Sequence, residues 1–102
     1  MNPPVPIPIL LDADYGADPL WRRDSSRPGG SSMLPLDNLP LSPELKGRLR
    51  AWADRFDDLM HTDYEWPTAA EEARWIAEGR ALVEPLRAEL GPGYKVEYFH
   101  DT

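Results

Sequence analysis

The sequence predicts an α+β fold, a small two- or three-stranded sheet with two helices packed on one face, in the order β-(β)-α-α-β. Three observations carry that expectation. Apolar residues alternate near both ends of the chain, over Val5–Leu11 and Tyr94–Tyr98. Two later segments place apolar residues at helical spacing. Nine of the twelve prolines lie at or before Pro43, so the helical half opens near Ser42. Two helices on one face of a sheet bury both apolar stripes.

The 102 residues fit one domain, 1–102, with 1–4 and 24–32 expected to be flexible. Apolar residues make up 41% of the chain, including four Trp and four Tyr, enough for a core without metal or disulfide staples. The absence of Cys excludes disulfides, thiolate nucleophiles and cysteine zinc sites. No motif for a cofactor is present, and none is expected.

Val5, Ile7, Ile9 and Leu11 alternate with Pro6, Pro8, Leu10 and Asp12, which reads as a strand. Alternate residues aim their N–H groups to the same side. Pro6 and Pro8 therefore remove donors from one edge only, a pattern that suits an edge strand better than a central one. Met1 to Leu11 carries no basic residue and is broken by proline, unlike a signal peptide. No run reaches the roughly 18 apolar residues of a membrane helix, so a cytoplasmic protein is expected.

Asp24 to Ser32 has the composition of a loop and lacks the Gly-Lys-Ser/Thr ending of a phosphate-binding loop. Pro35 and Pro40 limit Met33–Leu41 to a short strand at most. Ser42 is the expected N-cap of the first helix, with Pro43 at its first position. Leu45, Leu49, Trp52, Phe56 and Leu59 form its apolar stripe, with Met60 at the margin and an end near Met60–Thr62.

Thr68 and Glu71 have the spacing of a capping box at the start of the second helix. Ile76, Gly79, Leu82, Val83, Leu86 and Leu90 supply its inner face. Gly79 costs about 1 kcal/mol of helix propensity relative to Ala, which a close helix–helix approach would explain. Pro85 predicts a kink, Gly91 a C-cap and Pro92 a stop. Tyr94, Val96 and Tyr98 then alternate with Lys95 and Glu97 as a strand with one buried face.

Eighteen acidic residues against 11 basic ones give a net charge of −7. Phosphate binding needs a cationic surface, so nucleic acid and anionic membrane are disfavoured as partners, whereas a basic protein is favoured.

Four constellations could carry chemistry. Asp54 to Glu72 holds seven carboxylates against one base, Arg55, and includes Tyr64 and Trp66. Asp54, Asp57, Asp58, Asp63, Tyr64, Glu65 and Trp66 are the candidate partner-binding residues, the aromatics as anchors and the charge for steering. Asp12, Asp14, Tyr15 and Trp21 form a candidate pocket or loop beyond the first strand. Asp57 and His61 lie four apart and are weak metal candidates, there being no His-Glu-x-x-His motif. His100-Asp101 is half of a triad, without a Gly-x-Ser-x-Gly nucleophile motif.

Several segments together are similar to those of a known group. They are Asp14-Tyr15-Gly16 before Pro19-Leu20-Trp21, Leu39-Pro40-Leu41-Ser42 opening a helix with Leu49 and Trp52, Gly79-Arg80-Ala81-Leu82, and Glu89-Leu90-Gly91-Pro92-Gly93-Tyr94-Lys95-Val96. From Ile9 onward the chain resembles a group of short, uncharacterised bacterial proteins, largely actinobacterial, that share this layout. The resemblance implies no activity and no catalytic residue. By size and charge alone, such proteins are analogous to antitoxin-like or immunity proteins and to accessory binding proteins.

The leading expectation is a non-catalytic acidic binding protein, immunity-like or antitoxin-like, that masks a basic protein effector. The alternative is a small metal-dependent enzyme or metal-binding protein using Asp12, Asp14, Asp57 or His61. A third reading is a homo-oligomer formed through the free edge of the first strand or through a Trp patch.

Overall fold

A computed structural model describes residues 5–23 and 31–101. Four strands are present, β1 (Ile7–Leu11), β2 (Leu20–Arg23), β3 (Ser31–Met33) and β4 (Tyr94–Tyr98). Two helices separate the last two strands, α1 (Pro43–Asp57) and α2 (Ala69–Leu90). The sheet order is β3-β2-β1-β4. β1 runs antiparallel to β2 and parallel to β4, and β2 runs antiparallel to β3. The α+β class and the helix pair agree with the sequence, but the sheet is larger than expected.

Two differences enlarge it. Leu20–Arg23, which contains Trp21 of the expected pocket or loop, is a strand that buries Leu20. Ser31 and Ser32, the end of the stretch read as a flexible loop, open β3. The rest of that expectation, 1–4 and 24–30, lies outside the described residues. Both strands are too short and polar to show an alternation of their own.

β1 is a central strand, contrary to the edge position that its prolines suggest. Ile7 N–H donates to Gly93 O at 2.9 Å, and Asp12 N–H donates to Pro19 O at 3.0 Å. The odd-numbered N–H groups of β1 therefore face β4, and the even-numbered ones face β2. Pro6 and Pro8 sit on the β2 side, where pairing covers only Ile9–Leu11. Toward β4 the ladder runs the full length from Ile7 to Leu11. With both edges occupied, β1 offers no free edge for an oligomer.

The helices cover the face of the sheet that carries Ile9, Leu11, Val96 and Tyr98. Ser42 Oγ accepts from Leu45 N–H at 3.2 Å and so caps α1 as expected. α1 ends at Asp57 and tightens into a 3-10 turn over Asp58–His61. Thr68 Oγ1 accepts from Glu71 N–H at 3.1 Å. The Glu71 carboxylate binds Arg55 at 3.1 Å, a cation being the better partner. α2 continues through Pro85 to Leu90, and Gly91 ends it with φ of 78°.

The close approach at Gly79 comes from side chains. A Cβ there would lie 2.6 Å from Trp52 Cζ2 and would also meet the Tyr98 hydroxyl. Among the described residues, no helix is long and apolar enough to cross a membrane.

Candidate functional site

The parallel pairing of β1 and β4 brings their C-terminal ends to one end of the sheet. The residues after β1, from Asp12 to Gly16, meet the C-terminus of α1 there. Gly16 N–H donates to Asp57 Oδ1 at 3.1 Å, across 41 residues of sequence. The Tyr15 ring stacks on Phe56 at 4.5 Å, and Tyr64 meets the edge of Tyr15 at 5.2 Å. Two constellations that are separate in the sequence therefore form one surface.

An aromatic chain leads from that surface into the core. Phe56 stacks on Trp75 at 5.3 Å, and Trp75 stacks on Trp52 at 4.4 Å. Trp66 packs against Trp75 at 5.3 Å, and the Arg55 guanidinium covers Trp66 at 4.9 Å. His100 meets the edge of Trp75 at 5.5 Å. Tyr64 is 62% exposed, whereas Trp52 and Trp75 are each 4% exposed. The buried end holds the outer rings in place.

Of the expected anchors, only Tyr64 stands free in solvent. Trp66 is half-buried and carries its own cation, so it belongs mainly to the core's rim. Trp21 lies on the sheet face opposite the helices, where its indole donates to Asp12 O at 2.9 Å, outside the aromatic chain. Trp75 is core, and no Trp is exposed, so no Trp patch exists.

The backbone at Tyr64 is unusual. Asp63 and Tyr64 have φ of 54° and 62°, two consecutive left-handed residues that are not glycine. Such a conformation costs about 1–2 kcal/mol per residue. The local bonds that hold it run from Tyr64 N–H to Leu59 O at 2.7 Å and from Glu65 N–H to Thr62 O at 3.0 Å. Tight turns fix the ring outward.

The charges around it are unbalanced. Asp54, Asp57, Asp58, Asp63 and Glu65 form no ion pair among the described residues. The one base of the run, Arg55, is committed to Glu71 and Trp66. Elsewhere Asp37 binds Arg50 at 2.8 Å and Asp101 binds Arg80 at 2.7 Å, and each cation holds its carboxyl below the usual range. Asp12 is half-buried beside the aromatic chain. Burial pushes its carboxyl up, the charge of His100 opposes that, and Asp14 adds to it.

The metal reading gains no support from this geometry. His61 and Asp58 are exposed, and Asp57 is tied to Gly16. Among the described residues no three His, Asp or Glu side chains group as metal ligands. The Asp12–Asp14 pair separates likewise, since Asp14 Oδ1 turns back to accept from Tyr15 N–H at 2.8 Å.

Phe56 and His100 belong to this end of the molecule and were not among the expected binding residues. Phe56 reads as core in its helical stripe. Its place in that stripe gives no sequence signal that it reaches the surface, since Leu59 beyond it is buried.

A family model described as Serratia CdiI immunity protein-like matches residues 8–101. The match spans nearly the whole chain, and the chain belongs to that family. No curated protein matches it.

Proposed function

We propose that this member of the CdiI immunity protein-like family neutralises a protein effector by covering a basic surface of it with the acidic end built around Tyr64. One observation carries the reading. An outward-held aromatic ring lies in a segment whose five carboxylates, Asp54 to Glu65, form no ion pair among the described residues. An unscreened acidic rim speeds association with a basic partner, and a rigid aromatic anchor supplies most of the hold. Membership of an immunity-like family supports a protein as the partner. Catalysis is not part of the reading.

A low-salt pull-down from the native host, with mass spectrometry, would supply the effector. Its affinity would then be measured for the parent, Tyr64→Ala and Asp58→Asn/Asp63→Asn over a salt series. Tyr64→Ala should weaken binding at least about tenfold, as expected for an anchor. The double amide variant should mainly slow association and flatten the salt dependence. Unchanged affinity in both variants would place the effector on another surface.

A further inference from the structure

We propose that two copies of the chain pair through the outer edge of β4, as an antiparallel two-fold centred on Val96. β4 is an edge strand of the sheet. Gly93 O accepts from Ile7, so the odd-numbered carbonyls of this strand face β1. The N–H and C=O groups of Val96 and Tyr98 and the C=O of Tyr94 face outward, while the Tyr94 N–H donates to Gly91 O at 3.3 Å in the preceding turn. Arg87 Nη2 reaches Val96 O from that outer side at 3.1 Å, which confirms the phase.

The strand sequence Tyr94-Lys95-Val96-Glu97-Tyr98 is complementary to its own reverse. In antiparallel pairing about Val96, outward-facing groups meet outward-facing groups. Val96 exchanges both main-chain hydrogen bonds with the partner's Val96. Lys95 then stands opposite the partner's Glu97, and Glu97 opposite the partner's Lys95, on the face free of helices. Tyr94 stands opposite the partner's Tyr98 on the other face. In the single copy Glu97 binds Arg23 at 2.9 Å and Lys95 at 3.6 Å; pairing exchanges the Lys95 contact for one directly across the antiparallel pair, and the symmetry uses that exchange twice. Any other register of two antiparallel copies loses one or both of these pairs.

Room for the second strand exists. Two open cavities of about 520 Å³ flank Arg87 along this edge. One lies toward Tyr98 and Asp101, the other toward Tyr94 and Pro92. The Arg87 side chain lines both cavities and reaches Val96 O between them. It is 54% exposed and also bonded to Glu84, so it can swing to that partner and free the Val96 carbonyl. In the single copy the same guanidinium guards the edge against unrelated strands.

The test uses the whole chain. Light scattering on a sizing column and sedimentation, up to millimolar concentration, should show a monomer–dimer equilibrium. Lys95→Glu alone and Glu97→Lys alone each set like charges opposite one another twice, and each should weaken self-association about tenfold. Mixed one to one, the two variants restore both pairs and should form a heterodimer tighter than either homodimer. Because the chain has no Cys, Lys95→Cys and Glu97→Cys give a second readout. A mixture of the two should oxidise to a cross-linked pair, whereas Lys95→Cys by itself should not. Melting curves on each variant verify folding. A monomer at all concentrations, or cross-linking of Lys95→Cys alone to the same extent as the mixture, overturns the proposal.

Discussion

Trp52 and Trp75 exchange hydrogen bonds across the helix pair. Each indole Nε1–H donates to the other's main-chain carbonyl at 2.9 Å, while the rings stack 4.4 Å apart and within 2° of parallel. Both residues are 4% exposed. A carbonyl has two lone pairs, so each can serve its own helix and the opposing indole together. The pair fixes the register of α1 on α2, and through Phe56 it sets the position of Tyr15.

Trp75→Phe should therefore destabilise the fold by about 2–3 kcal/mol, from one lost buried hydrogen bond, lost ring area and the void left behind. For a domain of this size, that lowers Tm by roughly 10 °C or more. Thermal melts of the parent and the variant check it, and an unchanged Tm would mean that the pair is dispensable.

Gly79→Ala tests the packing beneath the pair. The substitution gains about 1 kcal/mol of helix propensity. The new methyl would lie 2.6 Å from Trp52 Cζ2 and press on the Tyr98 ring, and overpacking costs about 1–3 kcal/mol, with the Tyr98 bond to Ile76 O also disturbed. A net loss is expected in urea titration. A more stable variant would show that the rings can yield freely.

Tyr98 should make the protein sensitive to alkali. Burial pushes its phenol up to about 12 from an ordinary 10.0, with the charge of Arg80 partly opposing the rise. Between those two values the folded chain holds a proton that the unfolded chain has lost. Stability therefore falls as pH rises from about 10 to about 12. Tyr98→Phe removes this dependence while losing the 2.7 Å bond to Ile76 O. Unfolding free energies from pH 9 upward should show a steeper decline for the parent, and parallel curves would contradict the assignment.

Asp12 has the same sign in the acid range. Burial raises its carboxyl, so the folded state disfavours the charge that appears above the unfolded pKa. Asp12→Asn should stabilise the protein at neutral pH, and the gain should vanish below about pH 4, where both states are protonated. A variant less stable at pH 7 would mean that attraction to His100 outweighs burial.

Tyr64→Gly separates stability from recognition. Glycine adopts φ of 62° without strain, which offsets the lost edge contact with Tyr15. Stability should stay within about 1 kcal/mol of the parent, while effector binding falls at least about tenfold. Retained binding would show that the strained turn serves the fold alone.

Much of the scaffold was legible in the chain. Leu45, Leu49 and Trp52 at spacings of four and three are enough to place a helix and its inner face. Ser42 and Thr68 mark both helix starts, because a capping oxygen has a local partner three residues on. Strands β2 and β3 were not legible. Their few residues acquire strand geometry from β1, and pairing between segments leaves no local period to read. The prolines of β1 were read correctly as disabling one edge. The range over which β2 would reach that edge was not local information.

The sequence by itself determined the α+β class, the two helices with their caps, the acidic excess and the residues that supply it. These follow from periodicity, from short-range hydrogen bonds and from composition, all of which act within a few residues. Only the tertiary structure decided that Tyr15 meets Phe56 and Tyr64, that Trp66 turns inward under Arg55 while Tyr64 turns outward, and that the carboxylates from Asp54 to Glu65 form no ion pair among the described residues. Each of these depends on which distant segments become neighbours. That is set by burying the helix stripes on a shared sheet face, a choice that no local pattern encodes.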